Sequence, residues 1–93
     1  MEIKVYATLR PIVGAPSVHL NGASEMTVAQ MLAALYEKFP DLKPELHKGR
    51  EDLHPAIHIL INGRDMRYID GQQTRLSPGD EVRIFPPVGG GRR

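Results

Sequence analysis

Cysteine is absent from the 93 residues. Disulfides, thiolate metal sites and a cysteine nucleophile are thereby excluded, and a reducing compartment is permitted. No apolar run approaches the length of a membrane span. The start, Met1-Glu2-Ile3-Lys4-Val5, has no basic-then-apolar leader, so the chain is expected in the cytoplasm and off the membrane. An excess of one charge sign is also missing. Twelve basic and eleven acidic side chains, interspersed, give +1, which leaves neither a nucleic-acid footprint nor a polybasic membrane patch. Nor is there a catalytic constellation. Carboxylates are scattered over turns and strand exteriors, no serine has a histidine at a telling place, and no glycine loop precedes a helix to cradle phosphate. His54 and His58 have the i, i+4 spacing of two metal ligands on a helix. Pro55 lies between them and period-two isoleucines follow, so in a strand their Cα atoms stand about 13 Å apart and no shared metal is expected. A lone His19 on a short polar-flanked strand reads as solvated, without a role.

What is present is a chain of one-domain length with a single core. Its eight prolines and nine glycines fall as punctuation between apolar runs. Glu2 to Leu9 reads as a first strand, with Ile3, Val5, Ala7 and Leu9 inward and Glu2, Lys4, Tyr6 and Thr8 outward. Pro11 and Gly14 turn the chain, and Ser17 to Leu20 returns as the second strand of a hairpin. Thr27-Val28-Ala29-Gln30 has the spacing of a capping box. The helix it opens carries Val28, Met31, Leu32, Leu35 and Phe39 on one stripe, read as core, and Pro40 ends it. Asp41 to Leu53 is polar, with Leu42, Leu46 and Leu53 as its only anchors. An irregular stretch with one short helical turn is expected there, the most mobile loop of the chain.

Ala56 to Ile61 is strongly strand-like, with Ile57, Ile59 and Ile61 on one face and His58 and Leu60 on the other, and Asn62-Gly63 supplies a tight turn with positive φ. Met66 to Ile69 reads as a short fourth strand, Asp70-Gly71 as a turn, and Leu76 to Asp80 as the turn into the last strand. There Val82 and Ile84 alternate with Glu81 and Arg83. Pro86-Pro87 cannot donate to a ladder, so the strand ends, and the glycines at 89, 90 and 91 have no side chain to bury. The result is an α+β domain over residues 1–85, one helix packed across one sheet, followed by a slim, flexible tail over 86–93. Alternation also sends Leu60 and Phe85, with Tyr6 nearby, to the sheet face opposite the helix, where an apolar patch beside the tail reads as a docking surface.

Ile59-Leu60-Ile61-Asn62-Gly63, Pro78-Gly79-Asp80-Glu81-Val82 and, above all, Phe85-Pro86-Pro87-Val88-Gly89-Gly90-Gly91 resemble the ubiquitin-like sulfur carriers. Within that group the chain is most similar to the small subunit of molybdopterin synthase and its relatives in thiamine and cysteine biosynthesis. The resemblance implies a β-grasp fold, with a mixed sheet of four to five strands. It also implies that the terminal glycine carboxylate is the chemical centre: Gly89 takes the variable position, Gly90 and Gly91 form the di-glycine, and Gly91 is adenylated and converted to a thiocarboxylate. The chain is then a carrier or protein co-substrate rather than an enzyme. It binds no cofactor, because ATP is used by the activating partner. The implied partners are a ubiquitin-activating-enzyme-like adenylyltransferase, a sulfur-donor enzyme, and an acceptor biosynthetic enzyme such as a molybdopterin synthase large subunit. Pro86 to Gly91 can reach about 20 Å at about 3.3 Å per residue, and glycines fit a channel in which a Cβ would collide.

One departure from the family pattern is that Arg92-Arg93 follow Gly91. As written, Gly91 has no free carboxylate, so a processing protease or carboxypeptidase is expected to remove a pro-tail. That would take 12 basic side chains to 10 against 11 acidic, a net −1. Two other functions remain open from the sequence: a ubiquitin-like modifier that forms isopeptide bonds through Gly91, and a binding module with no activated state.

Overall fold

The computed structural model describes residues 1–21 and 25–87. Strand β1 (Glu2–Val5) is followed by a short helix α1 (Leu9–Val13) and strand β2 (Ser17–His19). A two-residue strand β3 (Met26–Thr27) leads into the main helix α2 (Val28–Lys38), then α3 (Leu42–His47). Strands β4 (His58–Ile61), β5 (Arg64–Asp65), β6 (Arg75–Leu76) and β7 (Glu81–Phe85) complete the chain, with 3₁₀ turns at Met66–Tyr68 and Gly71–Gln73 between β5 and β6. The main sheet has the order β2-β1-β7-β4-β5, and β3 pairs with β6 apart from it. β7 runs parallel to β1 and antiparallel to β4. A mixed five-strand sheet with one main helix packed on it is the β-grasp arrangement.

Alternation builds the core. Ile3, Val5, Val18, Ile59, Ile61, Val82 and Ile84 point to one face and share a buried cluster with Val28, Met31, Leu32 and Leu35 of α2. The capping box is present: Gln30 N donates to Thr27 Oγ1 at 3.2 Å and Thr27 N donates to Gln30 Oε1 at 2.8 Å. Phe39, half-buried, is the C-cap residue just before Pro40. Asn62 and Gly63 have φ of +52° and +87°, the left-handed pair required by a two-residue hairpin turn.

Three expectations are corrected. The first strand stops at Val5, not Leu9; Ala7 is exposed with φ +52°, and Leu9 enters the core from α1. Pro11 is compatible with that helix because a first-turn N–H has no intrahelical acceptor to lose. Met66 to Ile69 is not a strand. The Asp65 carboxylate accepts from Arg67 N at 2.9 Å and starts a 3₁₀ turn, so the pairing with β4 is made by Arg64 and Asp65 instead. Tyr68 is left 75% exposed. Thirdly, the polar stretch after Pro40 is built into the body. Leu42 and Leu46 of α3 are fully buried, His54 N donates to Leu46 O at 3.0 Å, and the Tyr36 hydroxyl meets His47 Nε2 at 2.9 Å. His47 Nδ1 faces the Glu51 carbonyl at 3.0 Å and must donate there, which leaves Nε2 to accept from Tyr36. Burial pushes the Tyr36 phenol up to about 12. Asp70-Gly71 opens the second 3₁₀ turn, with Gly71 at φ +58°.

Candidate functional site

Because β7 is the middle strand, it ends between the C-terminal end of β1 and the N-terminal end of β4. The register sets which side chains gather there. Val5 is level with Ile84 in the parallel pair, which places Tyr6 beside Phe85, and His58 is level with Phe85 on the other side. The Tyr6 and Phe85 rings are stacked, with centroids 4.3 Å apart and planes within 7°. Arg10 folds back from α1: its Nε donates to Val5 O at 2.9 Å, and its guanidinium carbon stands 5.1 Å from the Tyr6 ring centroid. Phe85 is the last strand residue, as Pro86-Pro87 require. Pro86 is itself buried and Pro87 half-buried, so the backbone beyond the strand still packs on the body.

The face of the sheet away from α2 carries Tyr6, Leu60 and Phe85, all half-buried. Leu60 lies across from Arg83 on one side and Asp65 on the other, so it is one step removed from the ring stack. The middle of that face is polar. Glu81 accepts from Arg83 at 3.1 Å and Lys4 at 3.3 Å. Those hydrogen bonds, from Arg83 first and Lys4 next, hold the Glu81 carboxyl below its usual range, and the same pairing raises Arg83. An apolar corner at the end of β7 is thus bordered by a charged row.

His58 Nδ1 lies 3.0 Å from Asp65 Oδ2, while Arg67 extends its guanidinium to the carbonyls of Pro55 and Ile57. Burial works to raise Asp65. The Arg67 backbone N–H, the His58 hydrogen bond and the Arg67 charge outweigh it and lower Asp65. His54 Nδ1 accepts from Ala56 N at 3.0 Å. The two histidines therefore serve separate local contacts, and among the described residues no group of three or more histidine, cysteine, aspartate or glutamate side chains could hold a metal ion. His19 is exposed, and its carbonyl accepts from Lys38 Nζ at 3.4 Å. No helix among the described residues is long and apolar enough to cross a membrane.

Of the site residues expected from sequence, Tyr6, Leu60, Phe85, Pro86 and Pro87 are placed at or beside this corner. Val88, Gly89, Gly90 and Gly91, with Arg92 and Arg93, lie outside the described residues. Sequence reasoning misses Arg10: next to Pro11 it reads as turn, and only the helix that replaces the strand end brings it over Tyr6.

Comparison with known proteins agrees with this architecture. The ThiS family model matches residues 3–91. Small archaeal modifier protein 3 of Haloferax volcanii is 35% identical over 91 residues, covering 98% of each chain. The sulfur carrier protein CysO of Mycobacterium tuberculosis is 32% identical over 93 residues, again covering 98% of each. In structure, small archaeal modifier protein 1 from Methanosarcina acetivorans superposes with a TM-score of 0.80 at 38% identity, covering 97% of this chain and 94% of that one. A chain of the Amycolatopsis orientalis BexX/CysO complex does so at 0.78 and 30%, covering 97% and 98%.

Proposed function

The chain belongs to the ThiS family, and we propose that it carries sulfur on Gly91 as a thiocarboxylate after Arg92-Arg93 are removed. The observation that carries this reading is the placement of β7 in the middle of the sheet, ending at a ring-stacked corner, with Pro-Pro-Val-Gly-Gly-Gly next in the sequence. A carboxylate is a poor electrophile. An adenylyltransferase partner supplies ATP; the freed Gly91 carboxylate attacks its α-phosphate and pyrophosphate leaves. Sulfide-level sulfur from a donor enzyme then attacks the carbonyl, AMP departs, and the thiocarboxylate remains. The chain acts as co-substrate in these steps, and the nucleotide stays with the partner.

Tyr6, Leu60 and Phe85 form the docking surface that brings the partner to the tail, and the cytoplasm is where such a carrier works. The acceptor is a biosynthetic enzyme for a sulfur-containing small molecule, of the molybdopterin synthase large-subunit kind or another. A second reading is favoured by the modifier named among the relatives: the same activated Gly91 would be attacked by a lysine amine to give an isopeptide bond. Both readings require activation. ATP-pyrophosphate exchange with the activating enzyme is expected for a chain ending at Gly91 and not for the full chain. Equal exchange by full-length protein, with Arg92-Arg93 still attached by intact mass, would overturn the processing step. High-mass conjugates without a thiocarboxylate would select the modifier.

A further inference from the structure

We infer that Arg10 and Tyr6 are positioning residues for the reacting terminus, acting through Phe85 rather than by touching the reacting atoms. The inference rests on the reading of Gly91 as the activated residue. Three layers converge at the end of β7. The Arg10 guanidinium lies 5.1 Å from the Tyr6 centroid, and the Tyr6 ring lies 4.3 Å from that of Phe85 in a nearly parallel stack. Arg10 is fixed in turn by its 2.9 Å hydrogen bond to Val5 O, at the end of β1. A planar guanidinium suits an aromatic neighbour in a way an ammonium does not.

The stack gains its importance from the two prolines bonded to it. Phe85 is joined directly to Pro86, and Pro86 to Pro87, and both rings lock φ near −65°. A change in the Phe85 backbone is therefore passed on through two stiff residues to Val88, the last residue before the first glycine of the tail at 89. Pro86 is buried, so it too is held by the body. The clamp and the two prolines fix the direction in which the described chain ends at Pro87. An end that must enter a narrow channel and present a carboxylate to a phosphate gains from starting in a fixed direction, since a small misplacement of a reacting group costs a large factor in rate.

The test uses chains ending at Gly91: unchanged, Arg10→Ala, Arg10→Lys, Tyr6→Leu and Tyr6→Phe. On each protein alone, urea unfolding checks the fold, and NMR shifts of the Phe85 and Pro86 protons report the stack. With the activating enzyme, pyrophosphate exchange is measured against carrier concentration to separate kcat from KM. Arg10→Ala and Tyr6→Leu are expected to remain folded, move the Phe85 and Pro86 signals, and lower kcat by about tenfold to a hundredfold; KM stays unchanged for Arg10→Ala and rises for Tyr6→Leu, whose ring also lies on the docking surface. Tyr6→Phe keeps the stacked ring and restores the rate; Arg10→Lys does not. A rise in KM with kcat intact for Arg10→Ala, or kcat intact for Tyr6→Leu, would mean partner contact alone and overturn the inference. So would full rescue by lysine, or unmoved Phe85 and Pro86 signals. If the unchanged chain shows no exchange, the functional reading fails, and the NMR signals alone decide whether the clamp holds the end of β7.

Discussion

Asn62 grips the start of β7 from both its main chain and its side chain. Its N donates to Glu81 O at 2.8 Å, its Oδ1 accepts from Glu81 N at 2.9 Å, and its Nδ2 donates to Asp80 Oδ1 at 3.0 Å. The strand that leads to Pro86-Pro87 is thus pinned at its beginning by the hairpin turn between β4 and β5. Asn62→Gly keeps the positive φ but deletes the side-chain bonds, and should cost about 1 kcal/mol. Asn62→Ala loses the same bonds and adds left-handed strain, a further cost of about 1 kcal/mol. Urea midpoints of the two variants check this; a glycine variant as stable as the parent would show that the grip contributes nothing.

Leu46 tests the structure of the stretch after Pro40. If α3 is part of the core, as its full burial indicates, Leu46→Ala leaves a cavity and costs about 2–5 kcal/mol in denaturant unfolding. A loss within about 0.5 kcal/mol would be that of a surface position and would contradict the packing of α3.

The same stretch marks the border of what was legible in the sequence. The helix α2 announced itself through its capping box and apolar stripe, and β7 and the Asn62-Gly63 turn through alternation and turn chemistry. Leu42 and Leu46 were recognisable as anchors, but two apolar positions in a polar segment cannot show how far a helix extends. Leu9 misled because its two-residue offset from Ala7 continued the strand pattern, and nothing local signals that Ala7 adopts φ +52°. Strands β3 and β6, two residues each, are too short for any period and exist only through their mutual pairing. Of the site, the Leu60, Phe85 and Tyr6 face came from alternation. The contact of Arg10 with Tyr6 depends on a helix at Leu9–Val13 that the pattern hid.

Asp65 sets a sign for acid behaviour. Its carboxyl is held below the usual aspartate range in the folded chain, burial being outweighed by the Arg67 N–H, His58 and the Arg67 charge. The stabilisation is present above the unfolded value of about 3.9 and is lost as pH falls through the lower folded value. Asp65→Asn retains an oxygen for Arg67 N but not the charge, so its urea midpoint should fall less steeply than the parent's below about pH 4. Identical acid limbs would show that Asp65 carries none of this dependence.

Leu60 and Phe85 test the proposed docking face. Changing both to serine should weaken binding of the activating enzyme about tenfold or more, as expected for central apolar contacts. Stability should fall by about 2–4 kcal/mol, the lost ring stack with Tyr6 added to the lost burial of two half-buried side chains. Loss of folding would reassign the pair to the core, and unchanged binding would remove them from the interface. Calorimetry of the complex and thermal unfolding of the free chain separate these results.

The central claim is that sulfur is carried on Gly91, and intact mass after incubation with an activating enzyme, ATP and a sulfur donor reads it directly. A chain ending at Gly91 should gain the mass of one sulfur in place of one oxygen, and fragmentation should place the change on Gly91. The chain that retains Arg92-Arg93 should keep its mass. A trimmed chain that is adenylated yet never gains sulfur, or a gain on the full chain with both arginines still attached, would contradict the account.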